Sequence, residues 1–213
     1  MTADRIRRRG RRPGESGSRE SILTAGRELF AKLGYSAASL RAIAACAGVD
    51  AALIAHFFGD KSALFEEASC PTAQIPAALL EALAQSADGR PDSGAGLAMA
   101  YLAYWENPAT ASSLLAVAKS APSHQGAMER LRTVLSPSNL DRARPFVAPD
   151  SVEIRLALAM SHLHGIAVAR HVIEVPALAT PTLEELVSAV APAIQHYLTG
   201  TLTRVDGPGH ALQ

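Results

Sequence analysis

From residue 18 onward the apolar side chains fall into a helical rhythm. Ile22, Leu23, Gly26, Leu29, Phe30 and Leu33 recur at three- and four-residue steps, and Gly34 follows as a stop. Ser39 stands ahead of Leu40, Ile43 and Ala44 as an N-cap does, its hydroxyl placed to accept from first-turn amides. Ala47-Gly48-Val49 interrupts that short helix with a residue that takes positive φ without penalty. Asp50 is the next N-cap, ahead of Leu53, Ile54, Phe57 and Phe58. Two short helices therefore join through a tight turn. Gly59-Asp60 closes the third helix, and Lys61 opens a fourth, carrying Leu64 and Phe65, until Pro71 forbids its continuation. Ile43, Val49, Ile54, Phe57 and Phe58 read as the core of this small unit.

Beyond Pro71 the chain is rich in Ala and Leu, with breaks at Asp88-Gly89-Arg90-Pro91, Asn107-Pro108, Ala121-Pro122, Pro137 and Pro145. These delimit helices of ordinary length, and residues 138–148 read as a loop. Two further helices are expected over 150–172 and 182–198. The second carries Leu183, Leu186, Val187, Val190, Ile194 and Tyr197 along one stripe, and Pro192 is expected to bend it. No stretch alternates Val, Ile and Thr as a sheet requires, so the whole chain reads as all-α.

At 213 residues with 48% hydrophobic content, the chain has enough apolar surface to bury a core, which excludes a wholly disordered protein. Its ends differ. Residues 1–17 mix Arg, Gly, Pro and Ser around the lone Ile6 and read as a mobile basic arm; residues 203–213, with Gly-Pro-Gly, read as a frayed tail. Between them lie a unit over 18–67 and a larger helical one over 68–202. Net charge is zero but unevenly spread, with eleven Lys/Arg against eight Asp/Glu up to Glu67 and nine against twelve beyond it. Two cysteines, Cys46 and Cys70, are too few for a disulfide scaffold or a Cys-rich zinc site and suit a reducing cytoplasm. No uncharged apolar run approaches the roughly 18 residues of a membrane span. The arginine-rich start leads into Gly-Glu-Ser-Gly-Ser with no apolar segment behind it, so neither a targeting peptide nor a membrane partner is expected.

A short helix, a glycine turn and a second short helix is the shape that lays one helix in the major groove of DNA while its partner braces on the backbone. The setting favours that reading over a plain packing hairpin. Arg5, Arg7, Arg8, Arg9, Arg11 and Arg12 precede the hairpin, Arg41 lies in its first helix and Lys61 follows it, and each can neutralise a phosphate.

Ser39-Leu40-Arg41-Ala42-Ile43-Ala44-Ala45-Cys46-Ala47-Gly48-Val49, followed by Ile54, His56, Phe58 and Lys61-Ser62-Ala63-Leu64, resembles the N-terminal domain of the tetracycline-repressor (TetR) family of bacterial transcription regulators. The likeness covers residues 18–67; beyond Pro71 it extends only to length, helicity and the placement of the last two helices. It implies an N-terminal helix-turn-helix domain joined to a larger helical domain for ligand binding and dimerisation. It also implies a homodimer that represses from a palindromic operator and releases it when a small molecule fills the second domain. By that likeness Ser39 and Arg41 meet DNA from the second helix; Arg7, Arg8 and Arg9, outside the likeness, are expected to do so from the arm by charge alone. Ala51, Ala52, Leu53, Ala55 and His56 face the groove, and Lys61 grips a phosphate with the amides at its helix start. Where the family often has a small polar residue, Thr, and Tyr or Trp, this chain has Ala52, Leu53 and Ala55, so a usual phosphate-binding hydroxyl is missing. Ala and Leu can touch thymine methyls but donate nothing to guanine, which leaves polar contact to Arg41, His56 and the arm, with DNA shape adding specificity.

In the second domain Met99, Tyr101, Tyr104, Trp105, Met128, Met160, His162 and His164 are the candidate effector contacts, each weighed against an ordinary place in the core. His124 reads as a loop or cap residue. His162 and His164 point about 200° apart on a helix, and His164 and His171 share a face but are separated by about 10 Å of rise, so neither pair chelates a metal. No cofactor is expected. Gly94-Ala95-Gly96 lacks the third glycine and preceding strand of a phosphate cradle, and no Gly-x-Ser-x-Gly or His-Glu-x-x-His occurs, which argues against an enzyme. A non-regulatory DNA-binding or scaffold protein is the alternative reading. Small residues Ala157, Ala159, Gly165, Ala167 and Ala169 permit the last two helices to pair with symmetry mates as a four-helix bundle.

Overall fold

A computed structural model describes residues 15–69, 75–86, 93–133 and 136–202. Among them the chain is helical throughout, without a strand. Helices α1 (Glu15–Ala37), α2 (Leu40–Ala47), α3 (Ala51–Phe58) and α4 (Lys61–Ala68) come first. They are followed by α5 (Ile75–Ser86), α6 (Ser93–Glu106), α7 (Pro108–Ser120), α8 (Gln125–Thr133) and α9 (Pro137–Ala143). A 3-10 turn (Arg144–Phe146) leads to α10 (Val152–His171), α11 (Pro176–Ala179) and α12 (Leu183–Thr199).

The helix boundaries follow from local chemistry. Ser39 Oγ accepts from the Ala42 amide at 3.1 Å, and the carboxylates of Asp50 and Asp60 accept from Ala52 and Ala63 at 2.7 and 2.8 Å. Thr182 and Glu185 form a reciprocal capping box at the start of α12. The expected loop at 138–148 is instead α9 and its 3-10 turn. Pro137 occupies the first turn of α9, where its missing N–H costs nothing, so there proline begins a helix rather than breaking one. Gly34 (φ 75, ψ 172) breaks α1 without ending it.

Two hydrophobic cores form. Ile22, Phe30, Ile43, Ile54, Leu64 and Phe65 gather α1–α4, and Ala116 and Val117 of α7 with Ala127 of α8 close that core from the other side. Ile43, Ile54 and Phe58 are buried as expected, while Val49 and Phe57 pack only at its edge. The second core unites α5, α6, α10 and α12 around Leu97, Tyr101, Leu102, Trp105, Leu163 and Ile194. By length and mean hydropathy of 1.2 alone α10 could cross a membrane, but 44% of that stretch is buried inside the fold.

Arg155 is 1% exposed, and its burial is compensated by hydrogen bonds. Its guanidinium donates to the Asp150 carbonyl (2.8 Å) and carboxylate (2.7 Å) and to the Tyr197 and Gly200 carbonyls (2.9 Å each). One cation thereby ties the start of α10 to the end of α12, satisfying terminal carbonyls that have no helical partner. Along the C-terminal half of α12, Gly94 lets α6 approach so closely that a Cβ there would lie 2.5 Å from the Ala191 carbonyl oxygen and the Gln195 nitrogen. Gly94 thus serves packing. Gly94→Ala is expected to force the two backbones apart and lower stability by about 1–3 kcal/mol in chemical denaturation.

Candidate nucleic-acid interface and receptor core

The glycine turn between α2 and α3 fixes how the second helix is presented. Gly48 sits at φ 67, ψ 32, and its N–H reaches back to the Ala44 and Ala45 carbonyls. The Val49 amide donates to Ala44 at 3.0 Å. The axes of α2 and α3 consequently turn through 103°. Ile43 and Ala44 on α2 and Ile54 and Phe58 on α3 anchor the pair in the first core. The opposite side of α3 is left to solvent, with Ala51, Ala52, Ala55 and His56 exposed and Leu53 half-buried. Four of the five sequence-derived groove contacts therefore share an open surface bearing almost no bulk, so the helix backbone itself can come close to whatever binds there.

Charge around this surface is mixed. Ser39 and Arg41 are exposed on its α2 side, with the Ser39 hydroxyl engaged as the cap. His56 is exposed and meets Phe57 edge-on at 5.0 Å. Lys61 is half-buried: its ammonium lies 4.5 Å from the Tyr35 ring centre and donates to the Ser36 carbonyl at 3.4 Å. Partial desolvation lowers its pKa from the ordinary value. The carboxylates of Asp50 and Asp60 occupy first-turn amides of α3 and α4, so the start of α4 carries an acid as well as a lysine. Arg7, Arg8 and Arg9 lie outside the described residues.

The first four helices are attached along α1 and α4. Helix α1 packs against α7, where the Tyr35 amide donates to Ser120 Oγ at 2.9 Å. The Glu66 carboxylate on α4 pairs with Arg130 of α8, and Ser62 Oγ lies 3.1 Å from His124 Nε2. The sequence offers His124 as a loop or cap residue and carries no sign of this contact. Its partners on α1 and α4 are distant in sequence, and no local periodicity links them.

The eight candidate effector contacts do not converge. Tyr101, Trp105 and Met160 are buried in the second core, with Met99 and Tyr104 packed at its margin. His164 Nδ1 lies 2.9 Å from the Tyr101 hydroxyl, and both His164 and His171 flank the Trp105 ring, at 6.0 and 5.7 Å. Burial pushes the Tyr101 phenol far above its ordinary pKa and the two imidazoles below theirs, His171 also under the influence of Arg170. The cluster is therefore neutral, with the phenol free to donate to His164. Among the described residues the Trp105 indole N–H has no hydrogen-bond partner. His162 lies instead beside Tyr197, and Met128 is on α8 near the first core. Of the eight, only Met99 lines a cavity of about 530 Å³ between α6 and α12, with Ala95, Val187 and Pro192 on its apolar side and Glu184 on its polar side.

Two family descriptions match the chain: "Bacterial regulatory proteins, tetR family" over residues 22–68 and "Tetracyclin repressor-like, C-terminal domain" over 92–198. No curated protein matches it. Among solved structures, a TetR-family regulator from Streptomyces coelicolor A3 shares 30% identity and a TM-score of 0.56, covering 89% of this chain and 98% of its own. NalD, the secondary repressor of the MexAB-OprM multidrug efflux pump in Pseudomonas aeruginosa, shares 22% identity and a TM-score of 0.52, covering 86% and 96%. A putative TetR-family transcriptional regulator from Mesorhizobium loti shares 18% identity and a TM-score of 0.55, covering 86% and 96%. With both descriptions matched in order and the helix-turn-helix built as the family requires, this chain belongs to the TetR family and is a DNA-binding transcriptional regulator, not an enzyme.

Proposed function

We propose that two copies of this chain form a repressor that occupies a palindromic operator and lets go when a small molecule binds the helical domain over 68–202. The observation that carries the proposal is the open side of α3, where Ala51, Ala52 and Ala55 present only methyl groups beside His56, on a helix held at 103° to α2 by the first core. NalD, whose likeness to this chain extends to the fold, is a repressor. Bound across a promoter in the bacterial cytoplasm, such a dimer excludes polymerase without further chemistry.

Specificity in this reading is divided. Ala51, Ala52, Leu53 and Ala55 offer methyl and backbone contact, Ser39, Arg41, His56 and Lys61 supply polar contact, and Arg7, Arg8 and Arg9 follow the backbone. Asp50 and Asp60 oppose binding by placing acids beside phosphates. Pairing uses α10 and α12, because Ile154 and Leu158 are 58% and 40% exposed on one stripe of α10 and Gly165 has open space around it. Two heads then meet half-sites about 34 Å apart or a longer helically matched spacing. Effector contacts are drawn from Met99, Tyr101, Tyr104, Trp105, Met128, Met160, His162 and His164, with the neutral Tyr101–His164 pair the best placed to recognise a polar group.

Three measurements test this. Arg41→Ala is expected to weaken binding to the selected operator by about 1–3 kcal/mol at physiological salt in fluorescence anisotropy; unchanged affinity would remove Arg41 from the interface. Asp50→Asn keeps a capable N-cap while deleting a negative charge, and should tighten operator binding by about two- to fivefold at low salt, with the gain shrinking as salt rises. Ile154→Glu combined with Leu158→Glu should give a protomer that sediments alone while its helical circular dichroism is retained, since neither side chain supports the protomer's own core.

A further inference from the structure

His124 stands where the DNA-reading helices meet the receptor, and every face of its ring is engaged. It caps α8: the Ala127 amide donates to Nδ1 at 3.2 Å. A ring nitrogen that accepts a hydrogen bond carries no proton, so the neutral imidazole holds its proton on Nε2 and donates it to Ser62 Oγ, 3.1 Å away on α4. The ring lies between Tyr35 of α1 and Phe65 of α4, with centroids 4.2 and 4.6 Å away, and its side chain is 10% exposed. One imidazole therefore touches α1, α4 and α8 at once.

A second set of groups is ready beside it. Glu66 Oε1 lies 3.9 Å from Nδ1, too far for a hydrogen bond to a neutral ring. Gly126 makes room for that carboxylate, since a Cβ at 126 would fall 2.0 Å from the oxygen. The other Glu66 oxygen is held by Arg130 of α8. Other charged groups on these helices are engaged elsewhere: Lys61 over the Tyr35 ring, Lys119 on the Lys32 carbonyl at 3.4 Å, Arg27 on the Ala68 carbonyl at 3.2 Å, and Arg19 with Glu67.

We propose that His124 is a proton-operated coupling between the reading head and the receptor: neutral, it joins α4 to the first turn of α8; protonated, it turns to Glu66 and releases α8. Addition of a proton to Nδ1 sets two donors, that N–H and the Ala127 N–H, against each other, and the cap is lost. The new N–H has a carboxylate on α4 as its nearest acceptor, while a cation at the N-terminal end of α8 is opposed by the helix dipole. Nε2 keeps its bond to Ser62. Both ring bonds then belong to α4, and a link that crossed the joint no longer does. Acidification, like an effector, would loosen the head from the body that sets its spacing.

The effect on operator binding rests on the repressor reading above; the switch itself does not. Imidazole nitrogen shifts and the exchange protection of the Ala127 amide, followed by NMR on the DNA-free protein from about pH 8 to about pH 5.5, read the switch directly across the range in which histidines titrate. The expected result is an unprotonated Nδ1 and a protected amide at the upper end, with protection falling as the ring titrates. His124→Asn, whose side chain caps without titrating, should keep that protection throughout. Retention of Ala127 protection in the wild type after the ring has taken its second proton would overturn the proposal. In the operator arm, wild-type affinity should fall about fivefold more than that of His124→Asn over the same change, His56 being common to both. Parallel pH profiles would remove the regulatory role, whereas absence of operator binding at every pH would refute the DNA reading and leave the NMR arm to decide the switch.

Discussion

Helix α1 lying along α7 is the contact on which the rest of the molecule depends. The α1–α4 core is not closed by those four helices alone, because Ala116, Val117 and Ala127 complete it from the receptor side. Gly34 makes the approach possible. At φ 75 it takes a backbone shape that other residues adopt at a cost, and a Cβ there would lie 3.0 Å from the Lys119 carbonyl oxygen. The reading head is therefore a facet of a continuous packed structure, and its position is inherited from α7 and α8. Any change that moves those helices moves α1 and α4 with them.

That arrangement suits a recognition helix with few polar side chains of its own. Ala51, Ala52 and Ala55 offer little directional bonding, so in the proposed dimer affinity would come from close backbone approach, from flanking cations and from two heads held at a fixed separation. In the proposed interface the acidic caps at Asp50 and Asp60 would make each head a poorer DNA ligand in isolation. Rigidity at the joint then matters more than it would for a head with several base-reading side chains, since weak contacts add only when geometry keeps them in register.

Burial of polar groups in the body follows one rule, that each is neutral or compensated. Arg155 keeps its charge by bonding carbonyls at the ends of two helices together with Asp150. Tyr101, His164 and His171 are instead held in their neutral forms by the same low polarity that surrounds Trp105. The first device fastens α10 to α12. The second leaves an uncharged, hydrogen-bonding spot deep in the second core.

The sequence by itself determined the all-α class, the helix-turn-helix and its caps, because those depend on residues within one or two turns of each other: Ser39 on Ala42, Gly48 on Ala44, Asp50 on Ala52. It also determined which side of α3 is apolar, since a helix of fixed period leaves no choice. It erred at 138–148, where the position of Pro137 relative to the first turn mattered more than its presence. Only the tertiary structure decided that the candidate effector residues scatter between a buried cluster, a surface groove and the joint, and that Gly94 serves helix crossing. The same holds for His124, whose bonds run to Ser62, Tyr35 and Phe65. Such contacts join positions far apart in the chain, and their distances are set by how whole helices pack, for which no local pattern of residues carries a signal.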